Sequence, residues 1–362
     1  MHLTMHQLFD LMVEEGASDV HITVGRPPVV RRHGRLKNVR HPALTAEDTM
    51  QLVESITPER MYTEFRERGS ADFGYAHGQR ARFRVAIFRQ RGQAALVARL
   101  IPNRLLTFDE IGLPQSVREL CARPRGLILV TGPTGSGKTT TLATMIDAVN
   151  MNYDRHIITI EDPIEYYHEH KKSIVNQREV GVDVTGFAEG LRRALRQDPD
   201  VILLGEMRDQ ETISTAITAA ETGHLVFATL HTTGSARTMD RIIDQFPADQ
   251  QEQIRVQLSV SILAVISQVL MGRSDKPGVI AGFEVMIMTP AIENHIRKAE
   301  TFKIPSTIQP SKNVGMFLMD DHLEDLVQEK KIDKETAYTY CQNPRTLKQK
   351  LEGAGGGGAA AS

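Results

Sequence analysis

Four short apolar runs recur between residues 126 and 232 of this 362-residue chain. They read GLILVTG, HIITIED, DVILLGE and HLVFATLHT, and segments with helical spacing separate them. Strands that are apolar on both faces are typical of a parallel sheet covered by helices. The pattern therefore predicts an α/β domain with a parallel-rich sheet.

The chain before residue 100 follows a different pattern. Residues 3–15 have the apolar spacing of a helix that ends near Gly16, and the DVHITV segment after them alternates as a strand does. Residues 45–68 read as helix, and strand-like segments with turns follow from Phe73 to Val97. This mixture predicts a small α+β domain over residues 1–100.

The remaining boundaries follow from composition. Pro and Gly residues mark 101–112 as a linker, and a second domain is expected over 113–352, with a charged helical end from about residue 320. The LSVSILAVISQVLM segment (258–271) is too short for a membrane span and is predicted to be a buried helix. The Gly- and Ala-rich stretch 353–362 is expected to be a disordered tail.

Charge and cysteine content limit the classes of function. The formal net charge is −2, so the whole molecule is not built to bind nucleic acid or acidic lipid. Cys121 and Cys341 have no metal-ligand spacing and read as isolated reduced thiols. Acidic residues interrupt the first apolar positions, which argues against a secretory signal. We expect a cytoplasmic protein without a transmembrane segment, which could still dock on a membrane machine.

The segment GPTGSGKTT (132–140) carries the clearest chemistry. It matches G-x-x-x-x-G-K-[ST], follows an apolar strand and opens a helical run, which is the context of a phosphate-binding P-loop. Main-chain N–H groups of such a loop converge on phosphate at the positive end of a helix. Lys138 is expected to reach the β- and γ-phosphates of ATP, and the Thr139 hydroxyl is expected to bind Mg²⁺. The candidate nucleotide-binding residues are Gly132, Pro133, Thr134, Gly135, Ser136, Gly137, Lys138, Thr139 and Thr140.

Carboxylates stand at the ends of two other predicted strands. Glu161, Asp162 and Glu165 follow the second run, and Glu206 follows the third. Because ligands of a parallel sheet bind at the carboxyl ends of its strands, phosphate and Mg²⁺ would supply the countercharge. We assign Glu165 as the base that activates water and Glu206 as the carboxylate near Mg²⁺. Glu161 and Asp162 could instead shape the loop by bonding its backbone N–H groups, and we favour that role for Asp162. Asp200 reads as a turn or cap residue before its strand.

Histidines and arginines add further candidates. His224 and His231 bracket the fourth run, and a role in sensing the γ-phosphate is favoured over a structural one. Metal ligation is disfavoured because no third ligand accompanies them. Seven arginines lie from Arg80 to Arg104 without an acidic residue among them. Composition leaves two interpretations of this segment open, a solvated basic strand face or a surface that faces phosphate or nucleic acid.

Four sequence boxes together resemble the secretion ATPase superfamily of P-loop NTPases. GPTGSGKTTTLA, ITIEDPIEY, LRQDPDVILLGEMRDQETI and AAETGHLVFATLHT are similar, in order and spacing, to its Walker A, Asp box, Walker B and His box. The likeness runs over nearly the whole chain and is strongest to the type IV pilus retraction (PilT-type) branch.

This resemblance implies a hexameric ring motor. A PAS-like N-terminal domain would be joined flexibly to a RecA-like ATPase domain. In that family the residue that matches Glu165 is the catalytic base, and the residue that matches Glu206 is the Walker B glutamate. N-terminal arginines complete the nucleotide site there, which favours the phosphate-facing interpretation of the arginine-rich segment. The matching positions are Arg82, Arg84 and Arg99.

One segment departs from the retraction branch. That branch carries a helix reading AIRNLIRE, which retraction is thought to require, where this chain has AIENHIRK (291–298). Glu293, His295 and Lys298 replace Arg, Leu and Glu. Surface drift, an altered partner and a PilU-like accessory motor all stay open as interpretations.

The sequence therefore predicts an ATP-hydrolysing homohexamer that drives pilus retraction through an inner-membrane platform protein. An extension or type II secretion ATPase is one rival, which the absence of CxxC…CxxC zinc spacing disfavours. A RecA-like nucleic-acid translocase is another, which the 5% aromatic content and the absence of Trp disfavour. A non-hydrolysing scaffold is the third, and the presence of both Glu165 and Glu206 argues against it.

Overall fold

The chain divides into two units in the computed structural model, which describes residues 3–32, 34–78, 80–101 and 104–353. The first unit comprises residues 1–104 together with Pro163–Tyr167, and the second comprises Leu105–Asp162 and the chain from His168 onward. A five-residue segment from the middle of the sequence thus belongs to the first unit. Residues 354–362, which cover nearly all of the predicted tail, lie outside the described residues, as do residues 102–103 of the predicted linker.

The first unit is an antiparallel sheet covered by helices. Its helices are α1 (Met5–Glu15), α2 (Ala46–Glu54) and α3 (Glu59–Arg68). Its strands are β1 (Asp19–Ile22), β2 (Val29–Arg32), β3 (Arg35–Asn38), β4 (Ser70–His77), β5 (Ala81–Gln90) and β6 (Gln93–Ile101). They pair in the order β3-β2-β1-β6-β5-β4, and every pairing is antiparallel. The predicted small α+β domain is therefore observed.

Local sequence explains where the helices of this unit begin and end. A capping box of Thr4 and Gln7 opens α1, and Gly16 closes it in the left-handed conformation. The single helix predicted over 45–68 is in fact two, because Pro58 disfavours helical backbone at the residue before it. Phe9 of α1 stacks on Phe83 of β5 with ring centroids 3.9 Å apart, so this helix is anchored in the core of the unit.

The second unit is built around a seven-stranded sheet. Its strands are β7 (Gly126–Thr131), β8 (His156–Glu161), β9 (Ile174–Glu179), β10 (Val201–Leu204), β11 (Leu225–Leu230), β12 (Ile262–Gly272) and β13 (Val279–Ile287). Its helices are α4 (Phe108–Ile111), α5 (Gln115–Leu120), α6 (Lys138–Asn152), α7 (Phe187–Ala194), α8 (Gln210–Glu221), α9 (Ser235–Ile243), α10 (Gln251–Ser261), α11 (Pro290–Arg297), α12 (Ile304–Ile308), α13 (Met319–Gln328), α14 (Lys334–Tyr340) and α15 (Pro344–Gly353).

The sheet of the second unit is mostly parallel. Its strand order is β13-β12-β7-β11-β10-β8-β9, and only the β12–β13 pair is antiparallel. The four apolar runs are β7, β8, β10 and β11, and every residue of β7, β10 and β11 is buried. Continuous burial on both faces explains why these runs do not alternate. The predicted parallel-rich sheet is confirmed.

The prediction of a buried helix over 258–271 is wrong for most of that segment. Helix α10 ends at Ser261, and strand β12 begins at Ile262 and lies between β7 and β13. A central strand is apolar on both faces, so periodicity cannot distinguish it from a buried helix. The β-branched residues of this run, Ile262, Val265, Ile266 and Val269, favour the strand.

Three smaller expectations concern the rest of the chain. The charged segment from residue 320 is helical, as predicted, and forms α13, α14 and α15. Both cysteines are free thiols. Across the described ranges, no helix combines the length and the apolar character that a bilayer crossing demands.

Candidate nucleotide-binding site

The P-loop connects β7 to α6 at the carboxyl edge of the sheet. Strand β7 ends at Thr131, and Gly137 caps the 15-residue helix α6 with a φ of 88°. Gly132 and Gly135 also have positive φ values, of 147° and 80°, so three glycines provide backbone that other residues rarely adopt. The main-chain N–H groups that open α6 carry the positive end of its dipole, which suits a phosphate group.

Lys138 lies against the loop that it follows. Its Nζ atom donates to the main-chain oxygens of Gly132 at 2.9 Å and of Pro133 at 3.0 Å. The P-loop residues differ in exposure: Gly132 and Ser136 are buried, Gly137, Lys138, Thr139 and Thr140 are half-buried, and Pro133, Thr134 and Gly135 are exposed. The exposed residues form the outer turn of the loop.

Glu206 lies between the side chains of Arg208 and His231, just after β10. Its Oε2 accepts from Nη2 of Arg208 at 2.6 Å, and its Oε1 lies 3.0 Å from Nε2 of His231. Burial by itself would raise the pKa of Glu206, but the hydrogen bond from Arg208 and the charges of His231 and Lys138 outweigh it. The net effect lowers the pKa of Glu206, so this carboxylate is ionised at neutral pH, as a ligand of a divalent cation requires.

Arg208 is the other half of this ion pair. The hydrogen bond and charge of Glu206 raise its pKa, with Asp162 contributing in the same direction. Asp162 is exposed and stands at the same edge of the sheet, just after β8. The carboxylates at this edge are thus compensated by arginine within the protein.

Glu161 has a structural role in this arrangement. It is buried, and its Oε1 accepts from the Thr159 hydroxyl at 2.6 Å and from Nε2 of Gln177 at 3.1 Å. The main-chain oxygen of Ile160 accepts from the Gly205 N–H at 2.8 Å, which joins β8 to the residue before Glu206. Glu161 is therefore held by side chains of β8 and β9, and a loop-shaping role through backbone N–H groups stays a prediction.

Asp200 lies at the opposite edge of the sheet. Its Oδ2 accepts from the His156 N–H at 2.8 Å, where β8 begins. The interpretation of Asp200 as a turn residue is confirmed.

The two predicted histidines lie at opposite ends of β11. His231 follows its carboxyl end and reaches Glu206, whereas His224 precedes its amino end and bonds through Nδ1 to the Ala219 oxygen at 2.9 Å. Six residues of strand separate them by about 20 Å. The structure thus brings His231 to Glu206 and does not bring His224 there, and a catalytic role for His224 stays a prediction.

Glu165 belongs to the first unit, as part of Pro163–Tyr167. It is half-buried and lies in a loop. In the same segment, the ring of Tyr167 lies under the guanidinium of Arg82, which is 3.4 Å from the ring centroid. Arg82 is 7% exposed, so this stacked cation is largely removed from water. One predicted N-terminal arginine is therefore positioned beside the segment that carries Glu165.

Arg84 and Arg99 are opposite each other on β5 and β6, and both are exposed. Nε of Arg99 donates to Oδ1 of the buried Asp19 at 2.8 Å. Burial would raise the pKa of Asp19, but the hydrogen bonds from Arg99 and Ser18 lower it below its usual range. Arg99 thus has a carboxylate partner inside the first unit.

Comparison with known proteins adds to this geometry. Residues 2–350 match the sequence profile of the family described as "Type II/IV secretion system protein". The chain belongs to this family.

Several members of the type II/IV secretion system protein family are similar over nearly their full length. The type IV pilus retractation ATPase PilT of Pseudomonas aeruginosa is 46% identical over 94% of this chain and 99% of its own. The type IV pilus ATPase PilU of the same organism is 38% identical over 96% of this chain and 91% of its own.

A solved structure agrees with these relatives. The crystal structure of the pilus retraction motor PilT with bound ADP is 46% identical to this chain, with a TM-score of 0.90. The match covers 96% of this chain and 99% of that one. The predicted fold class and the predicted class, a P-loop ATPase of the type II/IV secretion system family, are confirmed.

Sequence reasoning missed Arg208 at this family site. The side chain follows Glu206 by two residues in the GEMRD segment, so a cation next to the Walker B carboxylate was visible. That spacing places the guanidinium within reach of the carboxylate. In general, an arginine one or two residues after a carboxylate at a strand end indicates such an ion pair.

Proposed function

We propose that this protein is an ATP-hydrolysing motor that powers type IV pilus retraction. The observation that carries the proposal is the match to a pilus retractation ATPase at 46% identity over 94% of this chain and 99% of that relative. The P-loop and the Glu206–Arg208–His231 cluster supply a matching chemical site. A shared fold alone would not assign an activity, and these side chains support the ATP-hydrolysing part of the proposal.

ATP would bind with its phosphates at the start of α6. The P-loop amides and Lys138 would hold the β- and γ-phosphates. Mg²⁺ would take oxygen ligands from Thr139 and, directly or through its water, from Glu206, and it would neutralise charge on the phosphates. The site fits that cation, because Glu206 is ionised and Thr139 lies in the first turn of α6.

Glu165 would act as the general base that takes a proton from the attacking water. His231, which bonds to Glu206, would respond to the loss of the γ-phosphate. His224 would take part in the same response from the other end of β11. Arg82, Arg84 and Arg99 of the first unit would stabilise charge on the phosphates.

The working form would be a cytoplasmic homohexamer at the inner face of the cytoplasmic membrane. An inner-membrane pilus platform protein would be its partner, and no nucleic acid would be involved. Its chain would comprise a PAS-like domain (1–100), a linker (101–112) and a RecA-like ATPase domain (113–352). ATP hydrolysis would drive movement between the domains.

The altered helix α11 keeps its packing. Ile292 and Ile296 are fully buried, as the apolar spacing of the retraction-branch helix requires. Two of the substituted residues have local partners: Glu293 pairs with Arg297 at 3.1 Å, and Nε2 of His295 lies 3.1 Å from the Thr307 hydroxyl. The substitutions thus change the surface of α11 and leave its buried face in place.

Two experiments test the proposal. In a strain that lacks this gene, we expect many surface pili and no twitching, whereas a strain without pili would identify an extension motor instead. With purified protein, we expect Glu165→Gln to lower ATP turnover by about 10²-fold or more, since a general base contributes 10²–10⁴-fold. The matched control is Glu169→Gln, an exposed glutamate four residues away, which should leave turnover unchanged. Wild-type turnover in Glu165→Gln would refute the assignment of the base.

A second candidate function is a PilU-like accessory motor, which the 38% identity to PilU and the altered surface of α11 favour. Deletion of the gene would then impair retraction only partly. Reverting Glu293, His295 and Lys298 to the AIRNLIRE sequence separates the two functions, because an accessory motor converted to a full one would restore twitching to a strain without a retraction ATPase.

A further inference from the structure

A buried glutamine on β12 contacts the P-loop. Gln268 is 1% exposed and follows Ser267, which pairs with Thr131, the last residue of β7. The side chain of Gln268 is therefore level with the first residues of the P-loop. Its Nε2 donates to the main-chain oxygen of Ser136, near the end of the loop.

This hydrogen bond orients one peptide group of the P-loop. The peptide unit between Ser136 and Gly137 is planar and trans, so its C=O and N–H point in opposite directions. Because Gln268 fixes the C=O on the β12 side, the Gly137 N–H points away from β12. Gly137 caps α6, where main-chain N–H groups bind phosphate.

Gln268 packs closely against the glycines at both ends of the loop. A Cβ atom on Gly132 would lie 2.2 Å from the main-chain oxygen of Gln268, and one on Gly137 would lie 3.1 Å from its Nε2. The first distance is far below any real contact. Gln268 thus approaches the P-loop through its main chain at Gly132 and through its side chain at Gly137.

The residue before Gln268 contacts the other loop of the site. The Ser267 hydroxyl accepts from the Gly234 N–H at 2.9 Å, in the loop that follows His231. Consecutive side chains of a strand point to opposite faces, so β12 reaches the P-loop from one face and the His231 loop from the other. Strand β12 therefore supports both loops at this edge of the sheet.

We propose that Gln268 is a positioning residue that holds the P-loop in its phosphate-binding conformation. It acts through the Ser136–Gly137 peptide and does not itself touch the nucleotide. This inference rests on the proposed ATPase function, since the ligand that the loop would hold is the phosphate group of ATP or ADP. Within the described residues, Oε1 of Gln268 and the hydroxyl of Ser136 have no hydrogen-bond partner, so the donor group of Gln268 is the part of the amide that is engaged.

The test compares two substitutions by titration with a fluorescent ADP analogue. Gln268→Leu removes the donor, and we expect about tenfold weaker ADP binding, equivalent to about 1.4 kcal/mol. Gln257→Leu is the matched control, because Gln257 is half-buried on α10 and bonds to Glu221. It should bind ADP as the wild type does. Thermal unfolding of each variant establishes that it is folded.

Gln268→Glu supplies a readout that a purely structural role would not change. An ionised carboxylate at this position would repel the Ser136 oxygen, whereas a protonated one could donate to it. We expect ADP affinity of this variant to recover towards the wild-type value as pH falls from about 8 to about 5.5, because the introduced carboxyl group gains its proton over that range in a buried site, while the wild type changes little.

The outcomes separate the two proposals. If the wild type does not bind ADP, the proposed function fails. If the wild type binds ADP and Gln268→Leu binds within about twofold of it, only the positioning role is overturned, because the expected loss is tenfold. A pH profile of Gln268→Glu that runs parallel to that of the wild type overturns the positioning role as well.

Discussion

Asn150 ties the P-loop helix to the chain that follows the Asp box. It is fully buried in the last turns of α6. Its Nδ2 donates to the Glu169 oxygen at 2.7 Å, and its Oδ1 accepts from the Lys171 N–H at 3.1 Å. The substitution Asn150→Ala removes both bonds and leaves two main-chain groups unpaired next to a buried methyl group.

The size of the effect follows from these two bonds. A buried group left without its partner costs about 1–3 kcal/mol, so two groups would cost roughly 2–6 kcal/mol in the free energy of unfolding. Because Glu169 and Lys171 are exposed residues, we expect the lower part of this range, roughly 2–4 kcal/mol. The main-chain oxygen of Asn150 still accepts from the N–H groups of Lys172 and Ser173, which limits the loss. For a unit of this size, each 1 kcal/mol lowers Tm by about 2–4 °C.

Differential scanning calorimetry and urea titration measure this loss. We expect Tm of Asn150→Ala to fall by roughly 5–15 °C, with an unchanged dependence of unfolding free energy on urea concentration. The matched control is Asn152→Ala two residues later, an exposed side chain that bonds only within its own helix, to the Ala148 oxygen. Its unfolding free energy should stay within about 0.5 kcal/mol of the wild type.

Equal Tm values and equal free energies of unfolding for Asn150→Ala and Asn152→Ala would refute the reasoning. It would mean that Asn150 does not fasten the 168–173 segment to α6, and that main-chain bonds alone hold it. An Asn150→Ala protein with a changed urea dependence would instead indicate altered compactness of one state.

Three further predictions test other features. Gly132→Ala should lower the free energy of unfolding by about 3 kcal/mol or more and abolish ADP binding, because the added Cβ would meet the main-chain oxygen of Gln268. The control Gly223→Ala has a φ of 124° and open space around the added Cβ, so it should lower the free energy of unfolding by only about 1–2 kcal/mol. Asp19→Asn should lower the free energy of unfolding at pH 7, because the pKa of Asp19 is lowered in the fold and its ionised carboxylate therefore stabilises the native state. The difference from the wild type should close as pH falls below about 4, where the carboxylate gains its proton, and equal stability at pH 7 would contradict this. A thiol reagent should modify Cys341 in the native protein and Cys121 only after unfolding, since burial raises the pKa of Cys121 to about 12; equal native rates would contradict it.

Sequence predicts best the strands whose two faces are both buried. Strands β7, β10 and β11 are buried throughout, so a short apolar run between breakers was sufficient. Strand β12 is equally apolar, yet it follows α10 without a Gly or Pro, and its length suited a helix. The helix-to-strand change at Ile262 is set by pairing with β7 and β13, which is tertiary information.

The candidate site divides in the same way. The positions of the P-loop and of Glu206 could be predicted, because local sequence marks each of them as the end of a buried strand. The contact of Gln268 with the P-loop could not be predicted, because it depends on the pairing of Ser267 with Thr131, more than a hundred residues earlier in the chain. The separation of His224 from Glu206 likewise follows from the direction of β11 in the sheet, which two flanking letters do not reveal.

The assignment of Pro163–Tyr167 to the first unit has a consequence for engineering. Exchange of residues 1–104 between relatives would transplant Arg82 but not Tyr167, so a chimera with one junction would pair an arginine from one protein with an aromatic ring from another. A protein that lacks residues 1–104 would likewise keep the segment of Glu165 without Arg82. The first unit is therefore discontinuous in sequence, and a functional hybrid has to exchange residues 1–104 and Pro163–Tyr167 together.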